Sequence, residues 1–185
     1  MFRWAKSLIP HVFLCGMALA AEQPGMWLDV PYVRQEKNGC GAASIAMVMK
    51  YWHRQQPGRL VVPDAAEIQR ALYSRRARGI HASGMERYLQ QHGFRTFAIR
   101  GEWTDLQEHL ARGRPLIVAL KSGHNDLHYV VITGLDREEG IVHKHDPAER
   151  KLIKQHRALF DKEWKAAGNW TLLAVPEHEG ALPAH

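Results

Sequence analysis

Cysteine is scarce in this chain, with Cys15 and Cys40 the only thiols in 185 residues. Cys15 lies inside an N-terminal segment that reads as an export signal, so a processed chain keeps Cys40 alone and has no internal disulfide. Its stability must then come from a hydrophobic core. Long apolar runs are missing as well. Leu8 to Ala21 is the best candidate, but it spans 14 residues and is broken by Pro10 and His11, short of the ~20 that a membrane-spanning helix needs. The absence of internal repeats, low-complexity tracts and linker-like stretches argues against solenoids and strings of modules. No nucleic-acid motif or aromatic interleaving accompanies the net charge of +6. Arg75, Arg76 and Arg78 therefore read as a solvated helix end, and no nucleic-acid partner is expected.

What is present begins with Arg3 and Lys6, an apolar stretch through Val12, Phe13, Leu14, Met17 and Leu19, and small residues Ala18, Ala20 and Ala21. This is the order of a secretory signal peptide. Bulky Val12, Phe13 and Leu14 before Cys15 argue against a lipid-modified cysteine. Residues 1–21 are thus expected to be a signal segment, with the membrane touched only if that segment stays uncleaved. Residues 22–176 form one domain with a substantial core, and 177–185 a loose tail. The location expected is periplasmic or secreted.

The periodicity changes midway. Leu28 to Val33 reads as a short strand, and a glycine-flanked turn then leads into Ala42 to His53, where Ile45, Val48, Met49 and Trp52 recur at helical spacing. Asp64 with Glu67, Ser83 with Glu86 and Thr104 with Gln107 have capping-box spacing. They precede helices carrying Ile68 and Leu72, Met85 and Leu89, and Leu106 and Leu110. Beyond Arg114, the runs Leu116 to Leu120, Tyr129 to Thr133, Gly140 to His143 and Trp170 to Val175 read as antiparallel strands, interrupted by a helix around Leu159, Phe160 and Trp164. Helices followed by strands predict an α+β domain.

Cys40 falls at the N-terminus of the first long helix, where unpaired N–H groups and the helix dipole lower a thiol's pKa. Gly39 and Gly41 would leave the sulfur sterically open. A lone cysteine can also be an inert core residue, but the glycines, the nearby Gln35 and the export context favour a nucleophile. A thiol nucleophile needs a base. Of the 12 histidines, His128 is preferred because it directly precedes the rigid strand Tyr129-Val130-Val131-Ile132. His124, His143 and His145 are the rivals, while His92 and His109 read as surface residues. Asp146, after the next strand, could accept the second imidazole N–H, although Asp146-Pro147 is also an ordinary turn dipeptide. Gln35 could join the Cys40 backbone N–H in stabilising an oxyanion. His143 and His145 with Asp146 or His124 form a feasible but less favoured metal set. No metal or organic cofactor is expected.

Taken together, Gln35…Cys40-Gly41-Ala42-Ala43, His128-Tyr129-Val130-Val131 and Asp146-Pro147-Ala148 resemble the double-glycine leader peptidase family of papain-like cysteine peptidases, known from bacteriocin export. The resemblance runs from Val30 to Val175. It implies a papain-like fold, helical in its N-terminal half and packed on a C-terminal antiparallel sheet. It also implies a peptide or protein substrate, export machinery as a possible partner, and a reaction through an acyl-enzyme. Cys40 would be the nucleophile, His128 the base and acid, Asp146 the orienting carboxylate and Gln35 the oxyanion donor. An acyltransferase or amidase on the same fold, and a silent peptide-binding module, are the alternatives. The chain departs from transporter-fused members in having Gly39 where they carry an acid, and one residue fewer between Gln35 and Cys40.

Overall fold

The computed structural model describes residues 25–58, 60–121 and 127–177. The signal-like segment with Cys15, the rival His124 and the tail from 178 onward lie outside the described residues. The elements run β1 (Met26–Trp27), α1 (Cys40–Gln55), α2 (Ala65–Leu72), α3 (Ala82–Gln91), β2 (Phe94–Arg100), α4 (Trp103–Ala111), β3 (Leu116–Leu120), β4 (His128–Asp136), β5 (Ile141–His145), β6 (Ile153–His156), α5 (Arg157–Ala166) and β7 (Trp170–Pro176). The strands form one antiparallel sheet in the order β2-β7-β3-β4-β5-β6, with β1 also paired to β4. The fold is the α+β arrangement expected.

α1 is the buried centrepiece. Its apolar residues cover nearly all its faces, and Ile45, Met47, Met49 and Trp52 are fully inaccessible, as befits a helix enclosed by other elements rather than lying on a surface. The Trp52 indole N–H donates to the Ala174 carbonyl of β7 at 2.9 Å. Ser44 donates to the Tyr129 carbonyl at 3.4 Å, which ties the first turns of α1 to the start of β4.

Several local expectations shift. Leu28 to Val33 is not a strand: the Leu28 N–H reaches the Thr133 carbonyl at 2.7 Å, after which the Val30 N–H turns back to the Leu28 carbonyl at 2.9 Å. Pro31 then supplies no N–H with which to continue pairing. The Asp64–Glu67 capping box forms reciprocally, at 2.7 and 3.1 Å. The other two boxes do not. α3 starts earlier, after His81, and α4 starts after Glu102, whose N–H donates to the Asp105 carboxylate at 2.7 Å. β2 and β6 were not anticipated. Both are edge strands, and their mixture of apolar residues with Arg95, Arg100 and Lys154 blurs the alternation that marks half-buried strands.

Candidate active site

Three segments converge at one end of the sheet. α1 delivers Cys40 at its first residue, and no acidic residue in its first turn opposes a thiolate there. β4 delivers His128 at its own first residue, held by the pairing of His128 with Leu120 of β3. Val131 pairs with His145, so the register places Asp146, next along, level with Val130 and diagonal to His128. Diagonal neighbours of this kind lie within reach of long or aromatic side chains.

The His128 Nε2–H donates to Asp146 Oδ1 at 2.7 Å, and the same oxygen accepts the Ala148 N–H at 3.0 Å. The turn expected of Asp146-Pro147 and the orienting carboxylate are therefore one feature, since the turn aims the oxygen. The imidazole and the Cys40 thiol also lie close enough to act on each other, each favouring the other's charged form. With Nε2 committed to Asp146, Nδ1 is the nitrogen left for sulfur.

The electrostatics follow this geometry. Burial acts to raise the Cys40 pKa, but hydrogen bonds from His128 and from the Tyr129 and Gly41 backbone, with the imidazolium charge, bring it below its ordinary value. Burial likewise works against a charged His128, yet its bonds to Asp146 and Cys40 push its pKa up to about 9. Asp146 is lowered despite burial, through the His128 bond and charge, the Ala148 N–H and the nearby Lys144 charge. Each group favours its charged form because the others are charged.

The glycines around Cys40 have a different role from the one expected. A Cβ on Gly39 would sit 2.5 Å from Gln69 Oε1, and one on Gly41 would lie 3.2 Å from Ile80 and 3.4 Å from Tyr129. They admit close packing of neighbours rather than opening space at the sulfur. Gln69 also donates to the Lys37 carbonyl at 2.8 Å, clamping the turn before α1. The absence of an acid at position 39 thus has a steric counterpart, because α2 fills that space.

Gln35 lies beside the Asp146 turn, with its backbone N–H donating to the Pro147 carbonyl at 2.9 Å. Its side-chain oxygen is buried and accepts no hydrogen bond among the described residues. Of the rival histidines, His145 is engaged at both ring nitrogens by Val30 and Leu152, and strand alternation sends its ring to the opposite side from Asp146. That engagement also removes it from the metal set. His143 pairs with Gly134, further along β5. His92 stacks on Tyr88. Tyr32, Lys144 and Gln69 were not singled out from sequence, whereas Ala148 was quoted there only as part of the Asp146-Pro147-Ala148 block, not for its N–H.

Comparison with known proteins bears on this arrangement. A model of the Peptidase_C39 like family matches residues 27–172. No curated protein matches significantly. Among solved structures, the peptidase domain of Streptococcus ComA, a bi-functional ABC transporter involved in a quorum sensing pathway, superposes with a TM-score of 0.63 at 22% identity, covering 78% of this chain and 97% of that one. A protein of Bacillus anthracis described as a C39-like peptidase gives 0.63 at 17% identity, with 83% and 98% coverage. The peptidase domain of Streptococcus mutans ComA gives 0.56 at 20%, with 78% and 98% coverage.

Proposed function

Because the chain belongs to the Peptidase C39-like family, we propose that it is a cysteine peptidase hydrolysing peptide bonds through Cys40, His128 and Asp146. One observation carries the reading. A single imidazole is bonded to a buried carboxylate at 2.7 Å and acts on a neighbouring thiol at a helix N-terminus, favouring its thiolate. That pairing is what a thiolate–imidazolium nucleophile requires.

In the proposed reaction the Cys40 thiolate adds to the scissile carbonyl carbon. The oxyanion formed is held by the Cys40 backbone N–H and the Gln35 amide. His128 gives its Nδ1 proton to the departing amine as the C–N bond breaks, leaving a thioester. It then takes a proton from water, whose oxygen attacks the thioester and releases the carboxylic acid and Cys40. Asp146 stays ionised throughout and holds the ring by Nε2–H. The substrate is a peptide or protein. On the pattern of residues 1–21 we place the enzyme outside the cytoplasm, which N-terminal sequencing of exported protein would check.

The test is turnover of a peptide library by the parent protein and by Cys40→Ala, with circular dichroism to establish folding. Activity is expected in the parent alone, and products formed in the presence of added amines should be mainly hydrolytic. Turnover by folded Cys40→Ala overturns the reading. Predominant amide products would replace it with acyl transfer.

A further inference from the structure

His145 is the last residue of β5, next to Asp146, and its side chain takes no part in the proposed chemistry. It is 2% exposed. Its Nε2 lies 2.8 Å from the Val30 carbonyl, which can only accept, so Nε2 carries the proton. Its Nδ1 accepts the Leu152 N–H at 3.1 Å. One neutral tautomer satisfies both partners; a doubly protonated ring could not accept from Leu152.

The two partners belong to different arms of the site. Val30 begins the segment running to Gln35. Along it Tyr32 stands edge-on to the His145 ring at 5.8 Å and donates its hydroxyl to the Asp146 carbonyl at 3.2 Å, and Gln35 donates its N–H to the Pro147 carbonyl. Leu152, in the left-handed region at φ 56°, closes the loop that starts at Asp146, where the Asp146 N–H donates to the Arg150 carbonyl at 3.1 Å. Left-handed backbone is unfavourable for leucine, and the bond to His145 opposes its relaxation.

We propose that His145 is a positioning residue for this site: its neutral ring, donating at Nε2 and accepting at Nδ1, fixes the segment carrying Gln35 against the loop carrying Asp146. This rests on the peptidase reading for its effect on turnover, but not for its effect on Cys40 and His128. The charged and titratable neighbours are Lys151 on the loop, Asp29 before Val30, and the Tyr32 hydroxyl. Burial lowers the His145 pKa, opposed by backbone bonds to Val30 and Lys144 and by Asp29, with Lys151 acting in the same direction as burial. The neutral clasp therefore holds at neutral pH and is lost only on acidification below the ordinary imidazole range.

The experiment compares the full chain with His145→Phe, which loses both bonds, His145→Gln, which can keep the donor to Val30, and His145→Asn, which can keep the acceptor for Leu152. Turnover of a peptide library and the pH profile of Cys40 alkylation by iodoacetamide are measured, with thermal unfolding alongside. For His145→Phe, kcat should fall about a hundredfold, as for a displacement of catalytic groups by about 1 Å. The thiolate-forming limb of alkylation should shift upward, because Asp146 loses its hold on His128 and less imidazolium charge faces the sulfur. The Gln and Asn variants should fall between. Parental profiles in the folded variants overturn the proposal, as does lower kcat that merely follows the folded fraction without a shifted limb. If the parent cleaves no peptide, the peptidase reading fails while alkylation still decides the role of His145. Should none of the variants fold, nitrogen NMR of the parent decides: the Nε2–H tautomer is required, and Nδ1–H overturns the clasp.

Discussion

Asp146 Oδ1 accepts from both the His128 ring and the Ala148 N–H, so replacing the carboxylate should be felt electronically before it is felt structurally. Asp146→Asn keeps the size of the side chain but removes the charge that helps hold the His128 pKa up to about 9 against an ordinary 6.5. The alkaline limb of kcat/KM should move from about 9 toward neutrality, and kcat should fall, as read from a pH–rate profile. An unmoved limb would show that Asp146 does not govern the imidazole. Gln35→Ala should lower kcat about a hundredfold with little change in KM, because an oxyanion donor acts chiefly in the transition state. Alkylation of Cys40 should survive that change. Equal turnover would require a different donor.

Between elements, the contact that matters is the first turn of α1 against the start of β4. Gly41 permits it, with Ile80 and Tyr129 where a Cβ would press, and Ser44 secures it through the Tyr129 carbonyl. Gly41→Ala sets two effects against each other. Alanine favours the helix by about 1 kcal/mol over glycine, while crowding at 3.2 Å to Ile80, just before α3, and contact at 3.4 Å with Tyr129 of β4 shift the first turn of α1. The expected outcome is a small change in melting temperature with a clear loss of activity and slower Cys40 alkylation. Unchanged alkylation would mean that Ile80 and Tyr129 yield without moving the thiol.

For the whole molecule, the site's charges link stability to pH. Asp146 is lowered from 3.8, so its contribution is present above that value and lost as acid protonates the folded carboxylate. His128 is raised to about 9, so its contribution is full below 6.5 and lost as pH rises through about 9. Thermal unfolding across pH should fall off at both ends. In Asp146→Asn both falls should shrink, because the carboxylate is gone and His128 loses a partner. Away from the site, Gly101 lets β7 and α5 meet: an added Cβ would lie 2.6 Å from Thr171 Oγ1 and 2.7 Å from Trp164. Gly101→Ala should destabilise by about 1–3 kcal/mol in denaturant unfolding, while leaving the pH profile of Cys40 alkylation intact.

Cys40, His128 and Asp146 could be picked from the sequence because each stands at a boundary that local chemistry writes plainly: a glycine-flanked helix start, a β-branched strand start and an Asp-Pro turn. The long helix and the inner strands were legible for the same reason, since burial imposes a period. The edge strands β2 and β6 were not, because one exposed side relaxes that period. Nor could sequence choose between His145 and His128 by any rule of composition. That choice depends on register: pairing Val131 with His145 sends successive residues of β5 to opposite sides of the sheet, leaving Asp146 for His128 and His145 for Val30 and Leu152. The meaning of Gly39 was likewise hidden, for it lies in the Gln69 amide, 30 residues along the chain. Local sequence set which groups stood at the ends of elements, through caps, turns and periodicity. Tertiary structure decided which of them meet, because hydrogen-bond register and steric fit join segments whose separation along the chain carries no information about their distance in space.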